Sequence, residues 1–105
     1  MWERQAAVLI VDDEPEIIRV TRGYLEQAGF RVLAAGDGVS ALAHFRREET
    51  DLVILDLNLP AARGQTPMDG LDVARAMRQT PGRKGSVPII MLTARVDETD
   101  RIIGL

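Results

Sequence analysis

Three aspartates follow two apolar runs of the sequence, and their positions favour a metal site. Asp12 and Asp13 end the run from Ala6 to Val11, and Asp56 ends the run from Leu52 to Leu55. If both runs are parallel strands of one sheet, the three carboxylates meet at its carboxyl edge, where open α/β sheets bind ligands. Gathered carboxylates repel one another unless a cation lies among them, and ligation by oxygen atoms suits Mg²⁺. The spacing therefore predicts a small, Mg²⁺-dependent carboxylate site.

The length and composition of the chain narrow the classes of function. Its 105 residues make one domain at most, and 46% hydrophobic with 28% charged residues is ordinary for a globule with a core. A net charge of −3 gives no sign that this domain itself binds nucleic acid or an anionic membrane. The absence of cysteine excludes disulfides, thiol catalysis and thiolate metal sites. The first apolar stretch is too short for a signal peptide or membrane span, so a cytoplasmic protein is expected.

Strand and helix patterns alternate along the chain. The order βαβαβαβα predicts three layers, a mostly parallel sheet with helices on both faces. The predicted strands are 7–11, 30–35, 51–56 and 87–93; the predicted helices begin near Asp13, Val39, Asp69 and Asp97, the last reaching Leu105.

The ends and faces of two of these helices can be specified. Asp13 and Glu16 stand at capping-box spacing around Pro15, and Gly29 fits a left-handed C-terminal cap. Helical spacing predicts which side chains face the core. For the first helix they are Ile17, Thr21, Tyr24, Leu25 and Ala28, and for the third Leu71, Ala74 and Met77.

Four motifs, spread over nearly the whole chain, carry a resemblance to a known family. They are Ala7 to Asp13 followed by Glu14-Pro15, then Leu52 to Pro60, Met68 to Leu71, and Val87 to Ala94. In this order they resemble the receiver domain of bacterial two-component response regulators. The resemblance implies a flavodoxin-like (CheY-like) doubly wound parallel sheet with strand order 2-1-3-4. The stretch from Asp100 to Leu105 is most similar to the branch with a winged-helix DNA-binding output domain.

The resemblance also implies a role for each site residue. Asp56 would be the phosphoacceptor, taking a phosphoryl group from a sensor histidine kinase as a carboxylate nucleophile. The Mg²⁺ ligands would be Asp12, Asp13, Asp56 and the backbone carbonyl of Asn58. The Thr93 hydroxyl and the backbone of Leu57 and Ala94 would bind the phosphoryl group, while Asn58 and Arg95 would tune its loss. Thr93 would relay the change to an output or dimerisation surface.

The chain departs from the family pattern in two places. The family has a lysine at the end of a fifth strand, whereas the single lysine here, Lys84, precedes strand four and should lie at the opposite edge of the sheet. We therefore expect a receiver that is incomplete at its C-terminus over residues 1–105, lacking the fifth strand and fifth helix. Strand four would then be an unpaired edge. A homodimer could form through that edge or through the last helix.

The second departure is an insertion in the loop after Asp56. Residues Ala61 to Pro67 lengthen a connection that is normally short. The insertion is either a tolerated surface loop or, through Arg63, a modulator of access to the phosphoryl site.

The sequence alone leaves more than one function open. The leading prediction is a phosphoaccepting signalling receiver, which is not a turnover enzyme and reaches DNA only through an output domain outside this sequence. The alternative is a receiver-fold interaction module with little phosphorylation. A haloacid dehalogenase-like phosphohydrolase would carry Asp where Asn58 stands. A flavodoxin-like FMN binder would need a phosphate loop after strand one, and none is present. His44, the single histidine, is expected at the surface and not as a ligand.

Overall fold

The chain folds into one twisted sheet with helices on both faces. A computed structural model describes residues 4–59 and 68–92, together with the backbone of residues 102–104. The strands are β1 (Ala7–Val11), β2 (Arg31–Ala35), β3 (Leu52–Asp56), β4 (Ile89–Leu92) and β5 (Ile102–Gly104). The helices are α1 (Pro15–Gln27), α2 (Gly38–Arg47) and α3 (Gly70–Arg78), followed by a 3₁₀ helix at Gly82–Ser86. The strand order is β2-β1-β3-β4-β5, and β1 to β4 are parallel, as predicted.

Alternation along β1 divides the core into two clusters. All five residues of β1 are buried, as expected for a central parallel strand covered on both faces. Leu9 and Val11 point to one face, where they join the larger cluster with Phe45 of α2 and Met77 of α3. Val8 and Ile10 point to the other face and join a smaller cluster under α1. Among the described helices, α1 alone packs on that second cluster, so this face is the less deeply covered one.

Helix α1 differs from its prediction at its start and along its face. Its N-cap is Glu14, with no side-chain hydrogen bond, so the predicted capping box of Asp13 and Glu16 is wrong. The Glu14 N–H instead lies 2.9 Å from Asp12 Oδ1, which accepts its hydrogen bond. Pro15 at the first turn is confirmed, and Gly29 has the predicted positive φ, 99°.

The buried stripe of α1 is also shifted. Tyr24 is 73% exposed and Ile17 43%, so both predictions of inward positions are wrong. The residues that pack on the sheet are Ile18 and Leu25. Among the described residues α1 is the one helix on this face, so no described element covers the outer part of its stripe.

Helices α2 and α3 both begin at an aspartate cap. Asp37 accepts the Ser40 N–H at 2.8 Å, and Asp69 accepts the Asp72 N–H at 2.9 Å within a complete capping box. In α3, Ala74 and Met77 are buried as predicted, together with Val73. The prediction for Leu71 is wrong, since its side chain is 46% exposed.

The end of the chain differs most from expectation. Residues Ile102–Gly104 form a strand antiparallel to β4, where we predicted a helix running from Asp97 to Leu105. The prediction of an unpaired β4 edge is likewise wrong, because Ile90, Met91 and Leu92 pair with this strand. A dimer through that edge of β4 is therefore blocked in this arrangement. Two β-branched residues beside an edge with free N–H and C=O groups favour strand pairing over a short helix.

No helix in the described part of the chain is both long and apolar enough to cross a membrane.

Candidate metal centre

The carboxyl ends of β1 and β3 bring the three predicted aspartates together. The register pairs Val11 with Leu55, so the residues that follow, Asp12 and Asp56, end neighbouring strands side by side. Asp12, Asp13 and Asp56 each offer a carboxylate oxygen, and these oxygens all lie within 4.8 Å of one another. The predicted convergence of the three acids is therefore confirmed.

Burial and neighbouring negative charges both raise the pKa of two of the carboxylates. Asp12 is only 8% exposed, and its burial is the main cause that raises its pKa, with the nearby charge of Asp13 adding to it. The pKa of Asp56 is raised mainly by burial and further by the charges of Asp12, Asp13 and Glu14. Hydrogen bonds from the N–H groups of Glu14 and Asn58 oppose these shifts. The site thus holds its negative charge at an energetic cost.

An apolar groove explains part of this burial. A cavity of about 220 Å³ lies beside Asp12 and Asp56. Its walls are almost entirely aliphatic, comprising Ile10, Val11, Ile17, Thr21, Ile54, Ile90 and Leu92. Such walls remove water from one side of the carboxylates without offering them a polar partner.

The donor set fits a hard divalent cation. Among the described residues, no arginine or lysine forms an ion pair with any of the three aspartates. Carboxylate oxygens are the donors that Mg²⁺ uses, and the ion commonly binds through one or two of them while keeping several waters. A cation at this place would offset the charge that raises both pKa values.

The turn after β3 places Asn58 at the same site. The Asn58 N–H donates to Asp56 Oδ1 at 3.0 Å. The Leu57 N–H donates to the Leu92 carbonyl at 3.0 Å and is thereby engaged in the sheet. The Leu57 backbone stays a predicted contact of the phosphoryl group, and the N–H that reaches the Asp56 carboxylate here belongs to Asn58. The Asn58 carbonyl stays a predicted metal ligand.

The other predicted residues are either outside the described part of the chain or, for Lys84, at the far edge of the sheet. Thr93, Ala94, Arg95 and the insertion from Ala61 to Pro67, with Arg63, lie outside the described residues. Leu92, which precedes Thr93, pairs with Asp56 in the sheet. Lys84 is at the opposite edge as predicted, where its Nζ donates to the carbonyls of Phe45 and Glu48 at 2.9 and 2.8 Å.

His44 is partly buried and not fully at the surface as expected. Its Nδ1 is buried without a hydrogen-bond partner among the described residues, and it belongs to no metal-ligating cluster there.

Two contributors to the site were missed from the sequence. Glu14 adds negative charge next to Asp56, and its position directly after Asp13 was a signal for this. Gly70 lies against the backbone of Asp56, where a Cβ atom would come within 2.6 Å of the Asp56 carbonyl oxygen. The motif from Met68 to Leu71 contained that glycine, but nothing local in sequence shows what it contacts.

Known proteins are similar to this chain in sequence. The profile of the response regulator receiver domain matches residues 8–105. The sensory transduction protein RegX3 of Mycolicibacterium smegmatis is 42% identical over 99 residues, which cover 94% of this chain and 39% of that protein. The alkaline phosphatase synthesis transcriptional regulatory protein PhoP of Bacillus subtilis is 39% identical over 98 residues, covering 93% of this chain and 37% of that protein.

Solved structures of response regulators have the same fold as this chain. The chemotaxis response regulator CheY4 of Vibrio cholerae superposes with a TM-score of 0.76 at 33% identity, covering 89% of this chain and 72% of that one. The chain spans less than two-fifths of the length of the curated relatives it matches, at 39% and 37%. The matched profile, the related sequences and the shared fold lead to one conclusion: the chain belongs to the response regulator receiver domain family.

Proposed function

We propose that Asp56 is the phosphoacceptor of this receiver domain and that Asp12 and Asp13 hold the Mg²⁺ that the reaction needs. The observation that carries the proposal is the convergence of the three carboxylates, within 4.8 Å, at the edge where Asp56 ends β3. An oxygen of Asp56 attacks the phosphorus of a phosphohistidine, the phosphorus–nitrogen bond breaks, and the imidazole nitrogen keeps the electron pair. The product is an aspartyl-phosphate.

The residues around Asp56 divide the remaining tasks. When bound, Mg²⁺ offsets charge on the phosphoryl oxygens. Asp12, Asp13, Asp56 and the Asn58 carbonyl would hold it. The Asn58 N–H, already 3.0 Å from Asp56 Oδ1, is placed to donate to a phosphoryl oxygen bound there. Thr93 and Ala94 would bind the phosphoryl group from the end of the neighbouring strand, and Arg95 with the Asn58 side chain would tune its hydrolysis.

Phosphorylation by a small donor tests this assignment. The protein is incubated with Mg²⁺ and an acyl phosphate or phosphoramidate, and the adduct is located by mass spectrometry after peptide mapping. We expect one phosphoryl group on Asp56 and none in Asp56→Asn. Asp37→Asn removes a carboxylate that follows β2 and caps α2, and it should leave the adduct unchanged. An adduct that persists in Asp56→Asn would contradict the assignment.

Lys84→Ala is an informative second control. Lys84 bonds to carbonyls of Phe45 and Glu48 at the far edge, so its loss should not alter the yield of the adduct. A reduced yield at unchanged stability would show that the lysine takes part after all.

A receiver-fold interaction module with little phosphorylation is the second candidate. It is favoured by one observation: Lys84, the one described lysine, donates to the carbonyls of Phe45 and Glu48 at the opposite edge of the sheet and does not reach Asp56. Absence of an adduct at every Mg²⁺ concentration would support this second function and overturn the first.

The wider role of the domain follows from the same chemistry. Its phosphodonor would be a sensor histidine kinase, and the domain would act in the cytoplasm as a signalling phosphoacceptor without turning over a substrate. Relatives include a DNA-binding response regulator, MtrA of Mycolicibacterium smegmatis. Contact with DNA would belong to an output domain outside residues 1–105. Copurification with a phosphorylated kinase, with transfer of label to Asp56, would test the partner.

A further inference from the structure

The amino end of α3 lies directly against the backbone that carries Asp56. A Cβ atom on Gly70 would lie 2.6 Å from the Asp56 carbonyl oxygen and 2.6 Å from Leu57 Cα. Both are main-chain atoms, so no side-chain rotation could relieve the conflict. The helix can approach the end of β3 this closely only because residue 70 has no side chain.

The turn after Asp56 is held from two sides. The Leu57 N–H donates to the Leu92 carbonyl of β4 at 3.0 Å, and the Gly70 N–H donates to the Leu57 carbonyl at 3.1 Å. The next residue, Asn58, donates its N–H to Asp56 Oδ1 at 3.0 Å. The direction of the Asp56 carboxylate therefore depends on a turn that is fixed between β4 and α3.

A capping box determines where α3 begins. Asp69 Oδ1 accepts the Asp72 N–H at 2.9 Å, and Asp72 Oδ2 accepts the Asp69 N–H at 3.3 Å. These bonds satisfy N–H groups that the first helical turn leaves without partners. They also fix the residue just before Gly70, and so they hold the glycine against the turn.

We propose that Gly70 is a positioning residue for the Asp56 site. By letting α3 contact the end of β3, it keeps the turn at Leu57 and Asn58 in the arrangement that binds Mg²⁺ and accepts a phosphoryl group. The inference rests on the proposed function of Asp56. Mg²⁺ demands near-ideal octahedral geometry, so a small displacement of one ligand weakens its binding. Mutation of a residue that supports metal ligands typically lowers the affinity for the metal by about 10- to 100-fold.

The test compares Gly70→Ala with Gly85→Ala. A Cβ atom at Gly85 would also meet main chain, 2.5 Å from the Thr80 carbonyl oxygen, but beyond the other end of α3. Mg²⁺ is titrated into each variant while the amide signals of Asp13 and Asn58 are followed by NMR, and urea unfolding gives the stability. We expect Gly70→Ala to raise the Mg²⁺ Kd by about tenfold or more. Gly85→Ala should lose comparable stability yet keep the Kd within about twofold of the unaltered protein.

The outcomes are distinct. A folded Gly70→Ala with an unchanged Kd, or an equal loss of affinity in Gly85→Ala, would overturn the inference. If the unaltered protein neither bound Mg²⁺ nor formed an adduct on Asp56, the proposed function itself would fail. Faster hydrogen exchange of the Asn58 N–H in Gly70→Ala alone would support the positioning role independently of activity.

A second pair of variants decides the matter if Gly70→Ala does not fold. Asp69→Ala removes the cap that holds α3 against the turn, and Asp37→Ala removes an equivalent cap from α2. Each loses one carboxylate, so the change in net charge is matched. We expect the Kd for Mg²⁺ to be roughly threefold higher in Asp69→Ala than in Asp37→Ala. Equal values in the two variants would contradict the inference.

Discussion

The pKa of aspartate is shifted in opposite directions at the two edges of the sheet. At the amino edge, Asp51 accepts two N–H groups of the Arg4 guanidinium at 2.9 and 3.0 Å and the Ala7 N–H at 2.8 Å. These bonds, with Arg4 the largest cause, lower the pKa of Asp51. At the carboxyl edge, burial and like charge raise the pKa of Asp12 and of Asp56.

This difference distinguishes a charge that is paired to stabilise the fold from charges that are available to bind a metal ion. At the amino edge Asp51 is paired with Arg4 within the chain, and Lys84 bonds to the carbonyls of Phe45 and Glu48 in the same region. At the carboxyl edge the described residues supply no cation to the three aspartates, and a bound Mg²⁺ would supply that charge. Proteins commonly pay for functional sites with stability in this way.

The largest expected effect is stabilisation of the carboxyl edge by Mg²⁺. A ligand that binds only the folded state at about 100 times its Kd adds about 2.7 kcal/mol to the free energy of unfolding. We expect this gain in urea unfolding at saturating Mg²⁺, and we expect Asp13→Asn to lose most of it because a ligand is removed. Asp51→Asn, at the other edge, should keep it. An equal gain in Asp13→Asn would show that Mg²⁺ acts elsewhere.

The second effect is destabilisation on removing the paired aspartate. Asp51→Ala should lower the free energy of unfolding by about 1–2 kcal/mol, mostly because the Ala7 N–H loses its acceptor, since exposed ion pairs add little. Asp56→Asn should instead raise it in the absence of divalent ions, because a partly buried charge next to the like charges of Asp12 and Asp13 disappears. Both are measured by urea unfolding with chelator present. The same sign in both variants would break the comparison between the edges.

The sequence revealed the functional edge much better than the structural one. Asp12 and Asp56 could be placed because each follows a continuous apolar run, and parallel strands bring their ends to one edge whatever the details of packing. The bond between Arg4 and Asp51 joins residues 47 positions apart, and no local pattern marks such a pair. Gly70 was visible as part of a motif, but its contact with Asp56 depends on how α3 lies on the sheet.

The ends of elements were hardest to predict where two structures compete. Residues 102–104 are too few for helical and strand periodicity to be told apart, and the neighbouring edge of β4 decided in favour of a strand. In α1, apolar side chains lie on more than one face of the helix, here called a line of side chains along it. Ile18 was preferred over Ile17 because the packing angle on the sheet, which is not a local property, selects the line that is buried.

The smallest expected effect is a pH dependence of opposite sign at the two edges. For Asp12 and Asp56, the folded-state pKa lies above the ordinary value of 3.8, so the folded protein binds protons first as the pH falls. Stability without Mg²⁺ should therefore rise as the pH falls through the raised pKa values toward 3.8. For Asp51, whose pKa is lowered, stability is present above 3.8 and is lost as the pH falls through that lower pKa.

Subtraction isolates each edge from the other titrating groups. Urea unfolding of the unaltered protein and of a variant with Asp12→Asn and Asp56→Asn, from pH 7 to pH 4, gives a difference that should shrink as the pH falls. The difference from Asp51→Asn should stay constant over that range and shrink only below it. With saturating Mg²⁺ the first difference should reverse its pH dependence, because protons and metal then compete for the same oxygens. A first difference that is flat both with and without Mg²⁺ would mean that Asp12 and Asp56 do not share one charged site.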